Sequence, residues 1–278
     1  MRSQKEKAEA FREMHHGSHI LILPNCWDVP SARVFEGAGF PAVATSSAGV
    51  MVSLGYPDGE VIPRDEYLAA VARVARVLGV PLSVDMVAGF GKTPGEIGKT
   101  AGRVIELGGV GVNIEDFVHE KKVLFPLESQ IEKLKAIREA GRSKGVPVVV
   151  NARTDALRYA QGDERARLEE AIRRASAFRD AGADCVYPMG LTDPSSISRF
   201  VEALDYPVNV MARPGLPDVK ELEELGVARL SLGPAPSYAA MGLMKRIARE
   251  LLENGTYRSL LDGAIAFDEL NRLAGPRV

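Results

Sequence analysis

The sequence predicts an α/β protein, a (β/α)8 TIM barrel with extra helices at its C-terminal end. Three observations predict it. Short runs rich in β-branched residues alternate with amphipathic stretches along the chain. Eight such runs fall between residues 19 and 233. The runs are apolar on both faces, as in a parallel sheet covered by helices. A chain of 278 residues suits one large barrel, and 46% hydrophobic against 26% charged residues supply its core. Residues 1–278 are expected to form this single domain, with 237–278 as a helical extension. No linker, low-complexity segment or sequence-similar repeat marks a second one.

The predicted strands are HILILPN (19–25), AVATSS (42–47), PLSVDM (81–86), GVGVNIED (109–116), VPVVVNART (146–154), DCVYPM (184–189), PVNVM (207–211) and ARLSLG (228–233). Helices are expected between them, over 65–79, 128–145 and 165–183 for example. Gly39, Gly79, Gly182 and Gly226 each stand just before a strand, where a left-handed helix C-cap suits glycine. "RLSLGPAPSYAAM" (229–241) is then the last strand, its turn and the last barrel helix. The tail beyond is longer than one helix needs. Ala264, Phe267 and Leu270 share one face of its second stretch. That face must cover the barrel or a neighbouring subunit.

Composition narrows the partners. A net charge of −2 gives no reason to expect nucleic acid or an anionic membrane surface. No apolar run is long enough to span a bilayer. The N-terminus is charged and helical, without the apolar centre of a signal peptide. Cys26 and Cys185 fit no metal or redox spacing. The expected setting is cytoplasmic, with reduced thiols.

In a barrel of this kind the chemistry stands at the C-terminal ends of the strands. There the sequence places Trp27; Thr45, Ser46 and Ser47, with Asp58 in the following loop; Asp85; Glu115 and Asp116; Asn151, Arg153 and Asp155; Tyr187; Asn209; and Pro234. Asp58, Asp85 and Glu115 are expected to converge on one mouth. Carboxylates gathered in a low-dielectric cleft need protons, a cation or a metal. Oxygen ligands without clustered His or Cys favour Mg²⁺ or Mn²⁺. Arg153 is suited to hold a substrate carboxylate. Singly, each acid has a plainer role: Asp58 as a turn former, Asp116 and Asp155 as helix caps, Arg153 as a partner of Asp155.

Two motifs fail. "GFGKTPG" (89–95) lacks the first glycine of a phosphate loop, since Met86 stands there, and its third glycine comes one residue late for a dinucleotide fingerprint. "MHHGSH" (14–19) precedes the first strand and is expected to be a solvated cap rather than a metal site.

The segments "TSSAGVMVSLGYPDGE", "SVDMVAGFGKTP", "GGVGVNIED", "VNARTDAL" and "GADCVYPMG" together resemble the isocitrate lyase/phosphoenolpyruvate mutase superfamily, over essentially the whole chain. The resemblance implies a barrel whose last helix is often swapped between subunits of a homodimer or homotetramer. It implies Mg²⁺ on Asp85, with Asp58 and Glu115 reaching it largely through water. It implies a small carboxylate substrate cradled by Thr45–Ser47, its carboxylate on Arg153, reacting through a metal-stabilised enolate. Asp58 or a loop residue (Lys121, His119 or Lys122) would move the proton. The catalytic set is thus Asp58, Lys121 and Arg153. The substrate-binding set is Trp27, Thr45, Ser46, Ser47, Asp85, Arg153, Asn209 and Pro234.

The sequence departs from the family pattern at Val87, where many members carry an acid. It departs again in the loop "EDFVHEKKVLFPLESQ", which lacks both the Cys-containing signature of isocitrate and methylisocitrate lyases and the polar segment of the phosphonopyruvate mutases. The expected activity is therefore cleavage of a C–C bond in a small α-keto or 2-hydroxy carboxylic acid. The alternatives are a phosphonopyruvate mutase or hydrolase, and a keto-acid binding protein of weak activity.

Overall fold

Eight parallel strands close into a barrel in the computed structural model, which describes residues 2–274. They are β1 (Leu21–Leu23, resumed after Pro24 as Asn25–Cys26), β2 (Val43–Thr45), β3 (Leu82–Asp85), β4 (Gly111–Glu115), β5 (Val149–Thr154), β6 (Cys185–Pro188), β7 (Asn209–Met211) and β8 (Arg229–Ser231). Pro24 has no N–H to give to a neighbour, and it divides β1. The lower half of β1 pairs with β8 and the upper half with β2. The other junction is a single bridge, Val186 to Val208, between β6 and β7. The predicted runs all contain a strand, each shorter than expected.

Helices cover the outside. Their N-termini lie on the side where the strands end, and short polar side chains cap them. Asp28, Thr93, Asp163, Asp193 and Asp218 each accept the backbone N–H three residues on. Asp116 and Asp155 do not cap by side chain. Asp116 accepts from Thr154 Oγ1 and the Asp155 N–H, and Asp155 binds Arg153. At the opposite ends Gly39, Gly182 and Gly226 take the left-handed conformation. Gly79 does not; its N–H goes instead to the Glu36 carboxylate, at 2.7 Å.

Helix Gln4–Glu13 plugs the base of the barrel with Phe11, which is fully buried. A Cβ on Gly111 would lie 2.6 Å from the Phe11 ring, so glycine is what admits the plug. The "MHHGSH" segment is only partly the solvated cap that was expected. His16 and His19 are exposed, but His15 is buried edge-on against Phe11. Burial, aided by the nearby Arg229 charge, pushes its imidazole down to about 3 and keeps it neutral.

The last strand leads into a long helix, Ala235–Asn254, then Arg258–Leu261 and Phe267–Ala274. The final helix rests on helix Val29–Gly37 of its own chain, where the Leu273 carbonyl accepts from Arg33 Nε at 3.1 Å. No helix among the described residues is long and apolar enough to cross a membrane.

Candidate active site

One cavity of about 320 Å³ opens at the C-terminal ends of the strands. Asp85, at the end of β3, is its best-supported residue. Its backbone is fixed from two sides: its N–H donates to Thr45 Oγ1 (2.9 Å) and its carbonyl accepts from Tyr67 Oη (2.6 Å). Its carboxylate accepts from the Ser47 N–H (3.1 Å), the Val87 N–H (3.3 Å) and Asn113 Nδ2 (3.0 Å). Asn113 Oδ1 accepts in turn from Asn151 Nδ2 at 2.8 Å. Register explains the chain of contacts, because Asp85 pairs with Asn113 and Asn113 with Asn151 across β3, β4 and β5.

Val87 is buried and its φ is +52°, in the left-handed region a β-branched residue avoids. The turn aims its N–H back at Asp85. Its side chain joins the core, so the position where many relatives carry an acid offers no group to the cavity here.

Asp58 stands at the rim and accepts from Ser47 Oγ at 3.2 Å. No cation lies within ion-pair distance of Asp58 or Asp85 among the described residues. Glu115 is different. Both of its oxygens are taken, one by Arg153 Nη1 at 2.7 Å and one by His119 Nε2. Burial pushes the Glu115 carboxyl up, against the pull of Arg153 and His119. The hydrogen bond to Glu115 raises His119 above the ordinary imidazole value. Arg153 also holds Asp155 through Nε (2.7 Å) and Nη2 (3.0 Å).

The family model described as phosphoenolpyruvate phosphomutase matches residues 11–252. The chain belongs to this family. It is an enzyme of the isocitrate lyase/phosphoenolpyruvate mutase superfamily, whose members are lyases and mutases. An uncharacterized protein of Mycobacterium tuberculosis is 36% identical over 240 residues, 86% of this chain and 88% of that one. The 2-methylisocitrate lyase of Escherichia coli K12 is 30% identical, covering 94% of this chain and 90% of its own. Among solved structures, oxaloacetate acetylhydrolase in complex with oxalate superposes with a TM-score of 0.86 at 25% identity, over 97% of this chain and 94% of that one.

Within this member of the superfamily, Thr45, Ser46, Ser47, Asp58, Asp85, Arg153, Asn209 and Pro234 all line the cavity. Trp27 does not; it is half-buried beside Gly49, where an added Cβ would meet it at 2.9 Å. Lys121 is exposed on the turn of a small hairpin, Phe117–Val118 with Val123–Leu124, while His119 from the same hairpin reaches the cavity wall. Asn113 and Arg229 also line it, and strand-end reasoning missed both. Their signal was a polar residue at an inward position of an otherwise apolar strand.

The residues fit a hard cation at Asp85 and Asp58. Among the described residues no three His, Cys, Asp or Glu gather as a ligand cluster. Two free carboxylates beside open space nevertheless suit an ion that keeps several of its waters, as Mg²⁺ does. Glu115 is ion-paired to Arg153 and bonded to His119, which leaves a bridging water as its route to such an ion.

Proposed function

We propose that the chain is a Mg²⁺-dependent lyase, with Mn²⁺ as a substitute, that cleaves a C–C bond in a small α-keto or 2-hydroxy carboxylic acid. The observation that carries this reading is Asp85: a carboxylate held rigid by neutral donors, facing a cavity, with no cation of the chain against it. When bound, the metal would polarise the substrate carbonyl and stabilise the enolate charge left by cleavage.

The chain's own groups supply the rest. Thr45 and Tyr67 keep Asp85 in place, and Asn113 orients its carboxylate. Ser47 bridges Asp85 and Asp58. Arg153, anchored by Glu115 and Asp155, presents its remaining N–H groups to a substrate carboxylate. His119 is better placed than Lys121 to move the proton. Its Nε2 is tied to Glu115, and Nδ1, beside Gly59, is the nitrogen left to exchange one.

Calorimetric titration of Mg²⁺ and oxalate, a planar mimic of the pyruvate enolate, tests the reading. Metal-dependent binding is expected in the wild type and is expected to vanish in Asp85→Ala. Binding that survives in Asp85→Ala, or none in the wild type, overturns it. The matching family description favours a second reading, P–C bond chemistry on phosphonopyruvate. Rearrangement or phosphate release from that compound would select it.

A homodimer or homotetramer is part of the same proposal. Tyr238, Met241, Met244, Leu251 and Leu252 expose an apolar face along helix Ala235–Asn254. Light scattering on the eluting protein measures the assembly.

A further inference from the structure

Among the described residues Arg174 and Arg229 are buried and Arg153 largely so, and two of these three are paired. Arg153 holds Glu115 and Asp155; Arg174 holds Asp116 and Glu170. Arg229 is the third. It opens β8, is 2% exposed and lines the wall of the cavity. Its side chain makes no hydrogen bond and no ion pair among the described residues, and its Nη1 is buried without a partner. A buried guanidinium left this way is costly unless something else completes it.

The groups around it do not. His15 lies on the base side and is neutral. Cys185 and Tyr187, on β6, are a thiol and a phenol whose burial holds them protonated. Asp85 is the one carboxyl group among those that act on Arg229, and it does so without contact. The nearest register partner, Asn209 on β7, is polar and uncharged. The side chain therefore carries a positive charge into the deep end of a cavity whose other arginines, Arg153 and Arg158, already face carboxylates.

From this geometry we infer that Arg229 is a specificity-determining residue: it receives a second carboxylate of the substrate at the floor of the barrel, while the reacting end lies at Asp85. The inference rests on the proposed function of the same cavity. It narrows the substrate to short 2-oxo or 2-hydroxy dicarboxylic acids. A charge-assisted pair with a guanidinium discriminates strongly, because an analogue lacking the group leaves the donors unpaired.

The test compares malate with lactate, which differ by one carboxylate group, titrated as racemates with Mg²⁺ into wild type, Arg229→Gln and Arg229→Lys. Oxalate is titrated alongside. The wild type is expected to bind malate at least about 10-fold tighter than lactate. Arg229→Gln is expected to erase that preference while changing lactate and oxalate binding less than about 3-fold, and Arg229→Lys to restore part of it. A melting curve of the free enzyme adds a readout that a structural role would move the other way. Removal of an uncompensated charge is expected to raise the midpoint by about 2–4 °C. A drop in that midpoint with ligand preference unchanged would assign Arg229 to packing against His15 and overturn the inference. Equal weakening of malate and lactate would also overturn it. Oxalate binding with no malate preference in the wild type defeats this inference alone, whereas absence of oxalate binding defeats the proposed function and this inference with it.

Discussion

The two ends of the barrel treat charge in opposite ways. At the base, Asp184 is buried, and it accepts from Arg12 Nε (2.8 Å), the Val150 N–H (2.7 Å) and Arg138 Nη2. Arg12 and Arg138 spend further donors on the carbonyls of Pro147, Gly182 and Val148. That acid is matched from every side. At the mouth, Asp85 and Asp58 receive only neutral donors, and the Nη1 of Arg229 is buried without a partner. The difference separates charges matched within the chain from charges left to neutral donors or to none. The first kind is stabilising only while its network is complete. The second is a cost to the free protein.

The comparison breaks most visibly at its two carboxylates. Asp85→Ala is expected to lower turnover by about 10³-fold and to leave the melting midpoint unchanged or higher, as steady-state rates and a thermal melt would report. Asp184→Ala is expected to do the reverse. It takes the carboxylate from Arg12 Nε and Arg138 Nη2 and lowers the unfolding free energy by about 3–5 kcal/mol in urea titration, with kcat of the folded fraction retained. Equal effects of the two substitutions on stability would erase the distinction.

Gly111→Ala probes the base by shape rather than charge. Its added Cβ would stand 2.6 Å from the Phe11 ring, so the plug must shift. A loss of about 1–3 kcal/mol is expected from chemical denaturation.

A pH series sharpens the contrast at the mouth. The Glu115 hydrogen bond raises His119 above its unfolded value. A group with a raised folded pKa contributes its stability fully below the unfolded pKa and loses it as pH rises through the folded one. The stability gap between wild type and His119→Gln should therefore be largest near pH 6, about 1 kcal/mol, and close toward pH 9. A gap that widens with pH contradicts the pairing. The smallest effect is expected at Leu252, 88% exposed. Leu252→Ser should change unfolding of the isolated chain by less than about 0.5 kcal/mol, while weakening any assembly through that face as seen by light scattering.

Much of the candidate site was legible beforehand because strand ends are local features. A β-branched run followed by a helical one locates the end of a strand, and the parallel fold puts every such end on one face. Thr45–Ser47, Asp58, Asp85, Arg153, Asn209 and Pro234, all at or after strand ends in the sequence, line the cavity. Other positions are decided by a neighbour. Trp27 follows β1 immediately yet turns to Gly49. Lys121 and His119 share a loop, and only the hairpin pairing of Phe117 with Leu124 determines which of them comes to the wall. His15 reads as a surface residue until Phe11 draws it inward.

By itself the sequence determined the eight β–α units, because hydrophobic period and turn chemistry are written within a few residues of where they act. It also determined that acids and hydroxyls crowd one face. Only the tertiary structure decided which acid is paired and which is free. Ion pairing depends on the register between strands far apart in the chain: Glu115 stands opposite Arg153, and Asp85 opposite Asn113. Two acids at equivalent strand ends thus receive a cation and an amide, and that single difference leaves one ion-paired and the other without a cation of the chain.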